Sequence, residues 1–335
     1  HSFSKDKIGD KPMTLQPAKK LTSFISRRDF IKVSGVGLVS SAFLRPTFKM
    51  DDLSVHVFSK HLQSFNYNEM SSFASEVGFD GIDLTVRPGG HVLPERVSQD
   101  LPRAVENIRN AGLSIDMITT NVKNANDSTQ KRVLEVASEL GIRYYRMAYF
   151  AYPELSKGTT IIESLKKFAD ETEALSKLNK KLDIVGCYQN HSGKKLVGSN
   201  IWEIWKLISE SDQNFSGIQY DIRHATVEGG ESWENGIHLI SQNIKTIALK
   251  DFKWGQINDR WKVINTPIGE GMVDFKKYFS LLKGYKILVP ASLHFEYSLG
   301  GAEHGSIKLG ISKNNLFEKM KKDLNGIKKY WNEAP

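Results

Sequence analysis

The chain has 335 residues, 40% hydrophobic and 25% charged, with a formal net charge of +8 at pH 7. That is the composition of an ordinary globular protein, and it excludes a disordered chain. A single cysteine, Cys187, excludes an intrachain disulfide and a Cys-rich zinc site, and reads as a buried strand residue. Much of the positive excess lies in the tails, at Lys19, Lys20, Arg27 and Arg28 in front and Lys321, Lys322, Lys328 and Lys329 behind. There is no stripe of Lys and Arg with interleaved aromatics, so a nucleic-acid partner is not expected.

Residues 1–50 read as a targeting segment. Ser26-Arg27-Arg28-Asp29-Phe30 leads into an apolar run over residues 33–44, followed by small residues. Paired arginines before a short apolar stretch have the pattern of a twin-arginine signal, which predicts a periplasmic protein. Met13 is a candidate initiator. The run falls short of the ~20 residues that span a bilayer, and no Cys follows it for lipidation, so no stable membrane anchor is expected.

From residue 51 to 335, short apolar runs alternate with amphipathic stretches. Strands are expected at 53–58, 81–84, 113–118, 144–148, 182–188, 217–222, 244–250 and 287–295. Helices are expected at 67–77, 101–110, 129–140, 161–178, 202–209, 234–241, 275–282 and 316–331. Gly112 and Gly141 close two of these helices, as C-cap glycines do. A βα unit repeated about eight times at roughly 30-residue spacing predicts one (β/α)8 TIM barrel. No G-x-G-x-x-G follows the first strand, which weakens the open doubly wound alternative. Residues 87–98, 190–200, 252–274 and 296–312 are expected to be irregular. All follow strands, so they belong to the face that carries TIM-barrel active sites.

The candidate chemistry sits on that face. Side chains two apart on a strand point the same way, so His294 and Glu296 are expected to face the barrel mouth together. Asp221 and His224 end the sixth strand, Gln189 and His191 the fifth, and Lys250 the seventh. Lys60, His61, Arg87, His91 and Arg146 follow earlier strands as candidate substrate contacts or, for His91, an acid or base. Each has a plainer alternative. His294 with Glu296 is also a structural hydrogen bond, Asp221 is also a helix cap, Lys250 with Asp251 is also a simple ion pair, and a lone histidine is usually surface.

Tyr220-Asp221-Ile222-Arg223-His224-Ala225, Lys250-Asp251-Phe252, Pro267-Ile268-Gly269-Glu270-Gly271 and Phe295-Glu296-Tyr297, in this order, resemble the xylose-isomerase-like TIM barrels. That superfamily holds sugar (phosphate) isomerases and epimerases, and also the family 2 apurinic endonucleases. The resemblance covers about residues 53–330. It implies one divalent metal, manganese or else magnesium, zinc or cobalt, on Glu, Asp, His and Glu from strands five to eight. Asp221 matches the Asp and Glu296 the last Glu. The first Glu is replaced by Gln189, and the usual His by Ala248. His294 is the candidate replacement ligand, with His191 or His224 as alternatives.

The implied activity is metal-dependent isomerisation or epimerisation of a small unphosphorylated carbohydrate through an enediolate, with His224, Lys250 or His91 as acid or base. Two other readings stay open: a lyase or hydrolase of 3-keto-glycosides using the same enolate, and a catalytically silent sugar-binding barrel. A DNA-repair endonuclease fits poorly, because that site needs three zinc ions.

Overall fold

A computed structural model describes residues 52–154 and 158–335. The twin-arginine segment lies outside the described residues. Eight parallel strands close into a barrel in the order β1-β2-β3-β4-β5-β6-β7-β10. They are β1 (Val55–Phe58), β2 (Gly81–Val86), β3 (Met117–Thr120), β4 (Tyr144–Arg146), β5 (Val185–Gln189), β6 (Ser216–Asp221), β7 (Ile244–Leu249) and β10 (Ala291–Leu293). The helices between them are α1 (Tyr67–Val77), α2 (Val97–Asn110), α3 (Ser128–Glu139), α4 (Ile161–Leu182), α5 (Ile201–Ile208), α6 (Ile222–Gly229), α7 (Trp233–Ile240), α8 (Phe275–Gly284) and α9 (Lys313–Glu333). The TIM-barrel expectation is met. Among the described residues, no helix is long and apolar enough to cross a membrane.

Local chemistry fixes these elements. Asn66 with Glu69 and Thr160 with Glu163 form reciprocal capping boxes that start α1 and α4. β2 and β6 are buried along their whole length, as strands covered by helices outside and by the lumen inside must be. Gly81 opens β2 because a Cβ there would lie 2.5 Å from the His56 ring of the neighbouring strand.

The last barrel strand is shorter than expected, Ala291–Leu293 against 287–295, so His294 and Glu296 follow it and are not part of it. Two further regions differ from the sequence expectation. Residues 252–274, expected to be irregular, contain an antiparallel hairpin, β8 (Asp251–Ile257) and β9 (Arg260–Thr266). Asn258 and Asp259 both take positive φ, 52° and 57°, at its two-residue turn, the geometry that suits the twist of paired strands. The second is α6, which begins directly after Asp221 and was not expected.

Asp251, at the root of the hairpin, is an anchor. Its carboxylate accepts the backbone N–H groups of Phe252, Gly269, Gly271 and Val273 at 2.8–3.1 Å. Gly271 is required there, since a Cβ would stand 2.2 Å from Asp251 Oδ1. The expected Lys250–Asp251 ion pair is therefore replaced by a backbone nest, and Lys250 turns elsewhere.

Asp323 of α9 is buried, and neither carboxyl oxygen has a well-formed hydrogen bond, although the Tyr297 hydroxyl and the Ile268 amide lie near. Burial pushes its carboxyl up from the usual 3.8 to about 7. Its folded-state pKa is raised, so the native state keeps a proton that the unfolded chain has lost. The associated stability is full below the ordinary value and is lost as pH rises through about 7. Asp323→Asn is expected to remove this loss. Urea midpoints at a series of pH values should show the variant gaining on the parent as pH rises, and parallel curves would contradict the assignment.

Candidate active site

Asp221 is the most constrained side chain at the mouth. It is the last residue of β6 and the N-cap of α6, its Oδ1 accepting the His224 N–H at 3.0 Å. Its backbone is clamped by Asn190, which accepts the Asp221 N–H at 2.7 Å and donates to the Asp221 carbonyl at 2.9 Å. Oδ2 receives the Gln189 amide at 2.8 Å and the Lys250 ammonium at 3.0 Å. The carboxylate is fully buried, so these charged and polar partners offset the cost of desolvating it.

Gln189 explains how the cluster holds together. Its Oε1 accepts from Arg146 at 2.9 Å and from the Tyr149 hydroxyl, and both donors fix which end of the amide is oxygen. The –NH2 end is left to face Asp221. A glutamate here would set two carboxylates against each other and would need a cation between them. The amide supplies a donor instead.

Lys250 follows β7 and is buried. Besides Asp221, its Nζ meets His224 Nε2 at 2.8 Å. His224 is surrounded by donors on its other nitrogen as well. Nδ1 faces the Ser192 amide at 3.1 Å, the Ser192 hydroxyl at 2.7 Å and the Arg223 guanidinium at 2.9 Å. Burial, followed by the charges of Lys250 and its neighbours, holds the ring well below the usual histidine range. His224 is thus a neutral imidazole whose nitrogens are both taken up by protein partners, so it ties Lys250, Ser192 and Arg223 together and does not fit the expected acid or base role.

On the other side of the mouth, Lys60 pairs with Glu296 at 3.4 Å. Burial opposes ionisation of Glu296, but Lys250 and Lys60 together hold its carboxyl down at about 2. Asn265 of β9 donates to the Glu296 carbonyl at 3.2 Å and accepts from Arg223 at 2.6 Å, so the hairpin is tied into the site.

The expected metal set does not assemble. Among the described residues, no three His, Cys, Asp or Glu side chains stand together closely enough to hold a metal ion. That includes Asp221, His294 and Glu296, and the physical reason is visible. Both donors on Asp221 Oδ2, the Lys250 ammonium and the Gln189 amide, occupy the lone pairs a metal would use. His294 stacks on Phe58, ring centroids 4.3 Å apart, and its Nε2 meets Ser292 Oγ at 3.0 Å. Glu296 is taken by Lys60. The residues present therefore do not fit the divalent ion, whether manganese, magnesium, zinc or cobalt.

The other candidates divide in two. His191 belongs to the site, its ring 4.1 Å from that of His224 and edge-on to Tyr149 at 5.0 Å. Arg87 and Arg146 lie 5.7 and 5.6 Å from the centroid of the Phe58 ring. His61 and His91 do not join. His61 bridges the Ala302 carbonyl and the Phe295 N–H at 3.1 and 3.0 Å, and burial pushes it down to about 4. His91 meets Thr85 Oγ1 at 3.3 Å and the Leu62 carbonyl at 3.1 Å, so its ring holds loops together instead of facing the cluster. Sequence reasoning missed the roles of Tyr149, Ser192, Arg223 and Asn265. Arg223 stood inside a quoted motif, but Asn265 carried no signal, because the hairpin that delivers it was not expected.

No curated protein matches the chain by sequence. Solved structures do resemble it. The apo 3-keto-D-glucoside 4-epimerase of E. coli is 15% identical, with a TM-score of 0.61 over 82% of this chain and 100% of that one. A D-allulose 3-epimerase from Methylomonas sp. is 14% identical, with a TM-score of 0.60 over 84% and 98%. A xylose isomerase-like TIM barrel protein from Mycobacterium smegmatis in complex with magnesium is 12% identical, with a TM-score of 0.59 over 83% and 98%. At these identities the likeness is one of fold. The sequence profile of the xylose isomerase-like TIM barrels matches residues 72–304, and the chain belongs to that family.

Proposed function

We propose that the protein is a carbohydrate isomerase or epimerase that moves a proton on a carbon next to a carbonyl, acting on an unphosphorylated substrate. The observation that carries this reading is the buried Asp221–Lys250–His224 cluster, with an ammonium and a neutral imidazole 2.8 Å apart at the barrel mouth. The 3-keto-D-glucoside 4-epimerase and D-allulose 3-epimerase named above share its fold and support the substrate class.

His191 takes the proton from the substrate carbon on Nε2, which makes no hydrogen bond among the described residues, while its Nδ1 donates to the Ser192 carbonyl at 2.8 Å. The C–H electron pair moves into the new C=C bond, and negative charge collects on the former carbonyl oxygen. Lys250, fixed by Asp221, donates a hydrogen bond to that oxygen, a fixed positive charge in a water-poor site. Returning that proton to the neighbouring carbon gives an isomer, whereas an epimer forms when a second donor, the Lys60 ammonium on the other side of the mouth, delivers a proton to the opposite face. Glu296, ionised down to about pH 2, orients Lys60 and does not donate protons.

Incubation with ketoses and 3-keto-glycosides, both neutral and carboxylated, in D2O, read by NMR and mass spectrometry, is expected to show one deuteron entering beside the carbonyl. The substrate skeleton should stay intact. Cleavage of the glycosidic bond would instead identify the 3-keto-glycoside lyase, and neither change would leave a sugar-binding barrel. His191→Ala is expected to lower kcat/KM by about 10²–10⁴-fold. Lys250→Met should cost about 3–5 kcal/mol of stability, because Asp221 is left charged and unpaired, and adding Asp221→Asn should recover much of it.

The donor set also predicts indifference to metals. Treatment with EDTA and titration with MnCl2 or MgCl2 should leave Tm unchanged. A rise of several degrees with either ion would mean that Lys250 yields its place to a metal.

The reading includes export. Replacing Arg27 and Arg28 together by Lys is expected to retain the protein in the cytoplasm, checked by cell fractionation.

A further inference from the structure

The mouth carries more positive charge than its own carboxylates neutralise. Lys60 is paired with Glu296 and Lys250 with Asp221. Arg87, Arg146 and Arg223 also reach this face, and among the described residues none of them has a carboxylate within ion-pair distance. Arg223 reaches neutral acceptors, namely Ser192, His224 and Asn265, through its terminal nitrogens, while its Nε also meets no acceptor. Arg146 is only 7% exposed, with a single hydrogen bond to Gln189 and a buried Nε that meets no acceptor. The Arg87 guanidinium makes no hydrogen bond within the described protein. Burial, and then the charge of Arg146, push its pKa down, so the two guanidiniums stand close enough to repel each other. Asp83 lies deeper in the lumen, held by Ser292 at 2.6 Å and Thr119 at 2.9 Å, and burial raises its carboxyl. Counted as fully ionised, it still leaves two of the three arginine charges in excess.

Two like charges beside one aromatic ring, one of them nine-tenths buried with an orphaned donor, are costly without an anion. We propose that Arg87 and Arg146 form a subsite for the carboxylate of an acidic sugar, a uronate-type carbohydrate. The inference rests on the isomerase reading above, and it names the substrate class of that same site. A guanidinium offers a planar fork that matches a carboxylate.

Phosphate is the other oxyanion a sugar carries, and the backbone here disfavours it. Phosphate cradles are built from free N–H groups at a helix N-terminus or a Gly-rich turn. At this mouth the N-terminus of α6 is capped by the Asp221 carboxylate. The Gly-rich turn at residues 269–273 is already filled by Asp251.

The test is binding without turnover, by calorimetry at about 0.15 M salt. The panel is D-glucuronate and D-galacturonate, D-glucose and D-galactose, and the corresponding 6-phosphates. A uronate is expected to bind roughly tenfold or more tightly than its neutral parent, with the advantage shrinking as salt rises. Arg87→Gln should abolish this advantage. Because the Arg87 side chain makes no hydrogen bond within the described protein and is repelled by Arg146, the variant should match or exceed the parent Tm. Arg146→Lys keeps the charge, loses the fork, and should reduce the advantage. Equal binding of uronates and neutral sugars, tighter binding of a 6-phosphate, or an undiminished uronate advantage in Arg87→Gln would each overturn the proposal. Absence of deuterium exchange alongside a preserved uronate preference would overturn the isomerase reading and leave the anion subsite standing.

Discussion

Everything at the barrel mouth is arranged around one buried carboxylate. Asp221 cannot be taken out of water without partners, and its surroundings meet that demand from four directions: a helix N–H, an amide side chain, an ammonium and a backbone clamp from Asn190. Because the charge is met by protein donors, the neighbouring residues no longer need an external cation. Gln189 is the decisive substitution. With a donor in place of a second carboxylate, the same strand ends that could surround a metal surround a lysine.

That arrangement then sets the state of the remaining groups. Lys250 stands between Asp221 and His224 and, after burial itself, does most to keep the imidazole neutral. It also depresses the Glu296 carboxyl from across the mouth. One side chain thus links the two halves of the site. Such coupling is possible because the cluster is dry; exposed charges at the same separations would be screened and nearly independent.

The hairpin after β7 has a structural part in this. Asp251 ties the chain down by filling the turn at Gly269 and Gly271, which releases Lys250 toward Asp221 and delivers Asn265 to Glu296 and Arg223. The Lys-Asp sequence pair reads as an ion pair, yet the two residues face different partners. Adjacent residues on a strand point to opposite sides, and the backbone N–H groups of a glycine turn compete well for a carboxylate.

Periodicity, C-cap glycines and strand spacing determined the barrel. The repeat is long, and each βα unit is locally consistent with its place. The same alternation put Gln189 and Asp221, the last residues of β5 and β6, on the active face, while Lys250 and Glu296 reach it from the segments that follow β7 and β10. Sequence by itself did not determine which of those groups touch. His294 and Glu296 share a strand face but end on different partners, Phe58 with Ser292 and Lys60, since the barrel strand stops at Leu293. Whether Lys250 meets Asp251 or Asp221, and whether His61 and His91 face substrate or backbone, depends on strands and loops brought together from distant parts of the chain. Only tertiary structure decides that, because the energy of a buried polar group is set by its partners across the barrel and not by its neighbours in sequence.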